Sequence, residues 1–231
     1  MGYYNDTMSQ VENNLSNSTS LGSTAYLMTL PERKLAEYQR NQVGNSCTLH
    51  CISSAFKLLN ACEIDPAGLA EELDALPFLR RIRYRGWKDG PVTPLQQAAL
   101  IRRLVGELSL PLTVTLDHPS INGLITLIRR PETVVLTTIG WQKHSAPAIT
   151  LGTGNISYAD NQHLNWHTMI AAAYDPLHID KTGVQKPWGF INSWTNGGNH
   201  LFWMSGSDFQ KSWSFYTPFG GKRPAVVITR K

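Results

Sequence analysis

Three side chains in this 231-residue chain have the types and the order that thiol chemistry on a carbonyl needs: Cys47, His167 and Asn192, separated by 120 and 25 residues. A thiol nucleophile requires a base to take its proton, and the base requires an acceptor that fixes its tautomer and ring orientation. Cys47 follows Gly44-Asn45-Ser46 at the first turn of an expected helix. Terminal amide donors and the positive end of the helix dipole lie at such a position, and both favour thiolate over thiol. Gln42 stands five residues earlier. Taken singly, each residue has an ordinary structural reading: a packed cysteine, a core histidine, a strand-end asparagine, a surface amide. Taken together they place a nucleophile on one part of the fold and its base and orienter on neighbouring strands of another.

The elements that must hold these groups are legible as two patterns. From Ser46 to Asn60 the apolar residues Cys51, Ile52, Ala55, Phe56 and Leu59 recur at three and four, with Asn45 or Ser46 as N-cap. Further helical patterns run over Pro66–Leu76, Pro94–Glu107 and Ile121–Arg129, the last closed by Pro131. After Pro131 the chain turns to short β-rich runs: Thr133–Thr138, Trp166–Tyr174, Trp188–Trp194, His200–Met204 and Ala225–Thr229. Asn196-Gly197-Gly198-Asn199 and Phe219-Gly220-Gly221 mark turns between them. A helical half followed by an antiparallel sheet predicts an α+β fold. Residues 1–30, rich in Asn, Ser and Thr, read as a polar N-terminal arm, and 31–231 as a single domain. Its helical lobe is expected over about 31–130 and its sheet lobe over about 131–231.

With those residues in place, the sequence resembles the papain-like cysteine peptidases. The matching features are a glutamine shortly before a cysteine that opens a helix, a histidine leading an apolar strand, and Asn192-Ser193-Trp194. The middle of the chain is similar to the small bacterial branch that includes bacteriocin-leader peptidases. Pro119–Ile139 looks like its helix and buried strand, Trp166–Pro176 like its histidine strand, and Ser205–Trp213 like its closing helix. That branch commonly carries aspartate at the third position, where this chain has Asn192; the amide oxygen can still accept the imidazole N–H. The resemblance implies a papain-like fold and hydrolysis of an amide bond, on a peptide or protein substrate, through an acyl-enzyme. Cys47 would be the nucleophile, paired with His167 as thiolate and imidazolium. Gln42 and the Cys47 backbone N–H would hold the oxyanion, and Trp194 would cover the His167–Asn192 hydrogen bond. The same set would serve a papain-fold acyltransferase or a transglutaminase-like amide transfer.

Composition excludes several other classes. With 42% hydrophobic and 16% charged residues the chain is neither disordered, collagen-like nor a coiled coil. The net charge of +4 contains no run of five like charges, so nucleic acid is not an expected partner. The longest apolar stretches, such as Thr133–Ile139, are strand-sized and predict a soluble protein without a membrane span. Cys47, Cys51 and Cys62 form an odd, clustered set that makes a poor disulfide framework. Together with the absence of a signal-peptide pattern, they favour a cytoplasmic location. No cofactor and no metal are expected. Two non-enzymatic readings compete with the thiol chemistry. Cys47, His50 and Cys51, completed by Cys62 or His163, could hold zinc. The segment Arg80-Arg81-Ile82-Arg83-Tyr84-Arg85-Gly86-Trp87-Lys88 could clamp phosphates and stack bases, or could form a solvated loop between two helices.

Overall fold

The computed structural model describes residues 23–39, 42, 46–84, 92–141, 149–151, 154–156, 165–193, 200–214, 216–217 and 221–231. Among them the helices are α1 (Glu32–Ala36), α2 (Cys47–Leu58), α3 (Pro66–Asp74), α4 (Phe78–Tyr84), α5 (Pro94–Glu107), α6 (Ile121–Arg129) and α7 (Gly206–Trp213). Side-chain caps set several of the starts. Asp65 accepts from the Ala67 and Gly68 amides, Thr93 and Gln96 form a reciprocal capping box, and Ser120 and Ser205 accept from Gly123 and Asp208. Each cap satisfies amide donors that a helix cannot satisfy internally. Pro66 and Pro94 sit in the first turn, where the missing N–H costs nothing. α2 differs, because Ser46 makes no side-chain cap; its hydroxyl lies 3.2 Å from His50 Nδ1.

The strands that build the main sheet are β1 (Ala25–Tyr26), β2 (Leu112–Asp117), β3 (Thr133–Trp141), β6 (Asn165–Tyr174), β7 (Trp188–Ile191), β8 (Phe202–Met204) and β11 (Ala225–Arg230). Between β3 and β6, β4 (Ile149–Leu151) pairs with β5 (Gly154–Ile156), and β9 (Tyr216–Thr217) pairs with β10 (Gly221–Lys222). The main sheet runs β2-β11-β3-β6-β7-β8, with β1 paired to the end of β6. All of these pairings are antiparallel. Val134, Val135, Leu136, Met169, Ile170, Ala171, Ala172 and Ala173 are all solvent-free. A run buried at every position requires cover on both faces of the sheet. α2 packs on β6, and α7 packs on β3. Phe209 of α7 meets Trp188 and Phe190 of β7 at ring-centroid distances of 4.9 and 5.0 Å.

The expected α+β class is the observed one. The helices expected over Pro94–Glu107 and Ile121–Arg129 have those bounds. Three features differ from the sequence reading. The end of the polar arm enters the fold, because Ala25 and Tyr26 extend the sheet and Leu27 is fully buried. The division at 130/131 is crossed by β2, which pairs with the C-terminal strand β11. Leu112-Thr113-Val114-Thr115-Leu116 alternates apolar and polar residues as a half-buried strand should. Arg80 to Tyr84 lie in α4 rather than in a loop, while 85–88 fall outside the described residues. No helix among the described residues is long and apolar enough to cross a membrane.

β7 is held close to its neighbours by Gly189. A Cβ there would stand 3.0 Å from Ala173 Cβ and 3.1 Å from side-chain atoms of both Leu201 and Trp203. Gly189→Ala is therefore expected to destabilise the fold by about 1–3 kcal/mol, the usual range for overpacking a full core. Urea titration of both proteins measures this directly.

Candidate active site

Cys47 is the first residue of α2 and keeps part of its surface exposed. The next residue of α2 meets β6, with the Thr48 hydroxyl 3.2 Å from Thr168 Oγ1. Burial pushes the Cys47 thiol above its ordinary pKa; the backbone N–H and hydroxyl groups of Thr168 and Thr48 oppose this by offering hydrogen bonds to the sulfur. One turn further along, Cys51 is buried and its thiol donates to the Thr168 carbonyl at 3.2 Å. Burial, and next the proximity of Cys47, hold the Cys51 thiol well above the usual range. Cys62 is half-buried, and the three cysteines are free thiols.

His167 precedes Thr168 on β6 and is fully buried. Its Nε2 lies 2.7 Å from Asn192 Oδ1. A carbonyl oxygen can only accept, so Nε2 carries the hydrogen and the neutral ring has its lone pair on Nδ1. The β6–β7 ladder reaches Ile170 opposite Ile191, and Asn192 follows directly on β7. Successive side chains of a strand face opposite ways. His167 accordingly shares a face with Asn192, while Thr168 faces α2 and α5. Burial lowers the imidazole pKa to about 3, against the opposing hydrogen bond to Asn192. Burial thus opposes the charged form of each group, against the donors at the helix end that favour a thiolate.

Two amides tie this corner to the segment before α2. Gln42 N–H donates to the Ser193 carbonyl at 2.8 Å, and Ser193 Oγ–H donates to Gln42 Oε1 at 2.6 Å. Gln39, 6% exposed, accepts from the Asn192 backbone N–H at 3.3 Å through Oε1 and donates from Nε2 to the His200 carbonyl at 2.7 Å. The fold thus joins Gln42 to Ser193 and His167 to Asn192, and it brings α2, which Cys47 opens, to Thr168, the residue after His167. Gln39 was not singled out from the sequence, where nothing separates a buried bridging amide from the surface amides around it.

Among the described residues no three His, Cys, Asp or Glu side chains converge as metal ligands. His50 Nδ1 lies 3.2 Å from Ser46 Oγ, and Cys51 faces the sheet. His163 and Trp194 lie outside the described residues. In the basic segment the Tyr84 ring carries the guanidinium groups of Arg83 and Arg103 at 5.6 and 5.2 Å.

No protein-family model matches this chain. No curated protein matches it either. Among solved structures it is similar to the crystal structure of a protein from Bacillus anthracis described as a C39-like peptidase. The match has a TM-score of 0.55 at 12% identity and covers 90% of this chain and 98% of that one. Near-complete coverage of both chains makes the likeness one of whole folds. The chain therefore has the α+β fold of the papain-like class.

Proposed function

We propose that this chain is a cysteine peptidase of the papain-like superfamily, similar to the small bacterial branch that includes bacteriocin-leader peptidases. In this reading Cys47, His167 and Asn192 are its triad, and Gln42 is its oxyanion donor. The observation that carries the proposal is the 2.7 Å hydrogen bond between buried His167 and Asn192, one residue along β6 from Thr168, where the helix opened by Cys47 meets the sheet. A buried imidazole N–H needs an acceptor in any role, so the weight of this bond comes from its place beside a helix-opening cysteine. The fold shared with a C39-like peptidase supports the same reading.

In the proposed mechanism the enzyme waits as thiol and imidazole. His167 Nδ1 takes the Cys47 proton as the sulfur attacks the substrate carbonyl, and Nε2–H stays on Asn192 throughout. Gln42 Nε2 and the Cys47 backbone N–H stabilise the tetrahedral oxyanion; its Oε1 is already occupied by Ser193. The intermediate collapses, His167 returns the proton to the departing amine, and a thioester remains on Cys47. Water then attacks the thioester with His167 again as base, which restores the thiol.

Asn192 acts on the ring rather than on the substrate. Asn192→Ala is therefore expected to lower kcat by roughly a hundredfold, less than loss of the nucleophile, because the imidazole loses its orientation while the thiol remains. Steady-state hydrolysis of a peptide mixture tests the proposal, and an unchanged kcat in Asn192→Ala would contradict it.

A further inference from the structure

Helix α4 turns its apolar side outward. At the α-helical repeat, Phe78, Leu79 and Ile82 share one arc of the helix, with Arg80 and Arg83 along one border and Arg81 along the other. Tyr84 falls on the opposite side, toward the body of the protein. The exposures follow this arrangement. Phe78, Leu79 and Ile82 are 47%, 81% and 40% exposed, Arg80 and Arg83 are exposed, and only Arg81 and Tyr84 are partly buried. A surface helix ordinarily does the reverse, burying its apolar stripe and presenting its charges.

Two contacts from α5 hold that orientation. Gln96 Nε2 donates to the Ile82 carbonyl at 2.6 Å, and the Arg103 guanidinium lies 5.2 Å from the centre of the Tyr84 ring. Arg103 is itself fixed by Glu72 at 2.6 Å and Glu107 at 2.8 Å. The charge on α4 is of one sign. The helix contains no acidic residue, and Arg80, Arg81 and Arg83 form no ion pair with another described residue. The nearest carboxylates in sequence, Glu71, Glu72 and Asp74, lie on α3, and Glu72 is already taken by Arg103.

We infer that α4 is a docking surface for an anionic lipid membrane, a property separate from the thiol chemistry proposed above. Leu79 and Ile82, with the exposed part of Phe78, enter the boundary between headgroups and acyl chains, while the flanking arginines reach the lipid phosphates and carboxylates. This occupant answers both halves of the surface: the apolar side chains need hydrocarbon, and the guanidinium groups need anions. It also fits the shape. A peptide held by apolar contacts needs walls on either side, which a single helix with outward side chains does not supply, whereas a planar interface receives a ridge.

The test is co-sedimentation of the full chain with vesicles of equal parts phosphatidylcholine and phosphatidylserine, compared with phosphatidylcholine alone. Binding to the mixed vesicles is expected, at least about tenfold tighter than to phosphatidylcholine alone, and reduced by added salt. Arg80→Gln and Arg83→Gln each weaken it by about fivefold, as loss of one basic residue near an anionic surface should. Leu79→Ser weakens it by roughly tenfold, because its side chain no longer partitions into hydrocarbon. Lys211→Gln, which removes a positive charge from the exposed surface of α7, leaves binding unchanged. These substitutions fall on exposed side chains, so the melting temperature stays in place. No binding to the mixed vesicles, an equal loss in Lys211→Gln, or full binding by Leu79→Ser overturns the inference. Capture on immobilised polyglutamate that depends on Arg80 and Arg83, without vesicle binding, also overturns it and assigns the surface to an acidic protein.

Discussion

Cys47→Ala is expected to abolish peptide hydrolysis, with a loss of at least about a thousandfold, while the protein keeps its fold. The size follows from the role, since without the sulfur no acyl-enzyme can form and only binding and oxyanion stabilisation remain. The small structural effect follows from position. Cys47 opens α2 and the residue keeps some exposed surface, so truncation removes a single sulfur atom at the helix end rather than a large core side chain. The two other cysteines provide contrasting controls. Cys62→Ala should leave activity intact. Cys51→Ala should cost stability, because that thiol is buried and donates to the Thr168 carbonyl. Activity in Cys47→Ala equal to wild type would mean that the sulfur is not the nucleophile. Steady-state rates and urea titrations on the three variants separate chemistry from folding.

His167→Gln should lose activity to a similar degree and also change how the protein responds to acid. Glutamine can keep an N–H on Asn192 but cannot take up and return a proton at neutral pH. The acid response comes from burial. Unfolded, the imidazole binds a proton below about 6.5; folded, it resists protonation down to about 3. Between those values the unfolded state holds more protons than the native one, so stability is complete above the upper value and falls as pH drops toward the lower. The contribution is at most roughly 1.4 kcal/mol per pH unit, which accumulates to several kcal/mol by the bottom of the window. His167→Gln removes that slope. Chemical denaturation at a series of pH values from 7 to 4 reads it, and equal slopes in the two proteins would show that the ring is accessible to protons in the native state.

The sequence carried α2, α3, α5, α6 and the central strands, though not α1 or α4, because their determinants are local. Pro94 behind Thr93, and Ser120 ahead of an apolar helix closed before Pro131, define starts and stops by hydrogen bonding that any reader of side chains can find. The proposed order Cys47, His167, Asn192 can be read from residue types because thiol chemistry restricts them, and the structure adds the hydrogen bond between the last two. What was hidden depends on long-range pairing. Ala25 and Tyr26 become a strand only because β6 extends past β3 and offers them an edge. β2 was visible as alternation but is short enough to pass for a linker until β11 arrives from the other end of the chain. Gln39 and Gln97 are buried amides whose sequence neighbourhood is unremarkable; their partners lie far away, at Asn192 and His200 for one and at Thr48, Thr138 and Thr168 for the other. The forces on the charges of the site divide in the same way. The dipole and free amides of a helix end are local, whereas the desolvation that opposes them comes from the whole fold closing over the ring and the sulfur.

The most direct test of the central claim is covalent labelling with a peptidyl electrophile, mapped by mass spectrometry in wild type and in His167→Gln. The account predicts one adduct, on Cys47, that forms at a rate depending on His167, with Cys51 and Cys62 left unmodified. Labelling spread over Cys47 and Cys62 at equal rates, or an undiminished Cys47 adduct after the histidine is replaced, would contradict it.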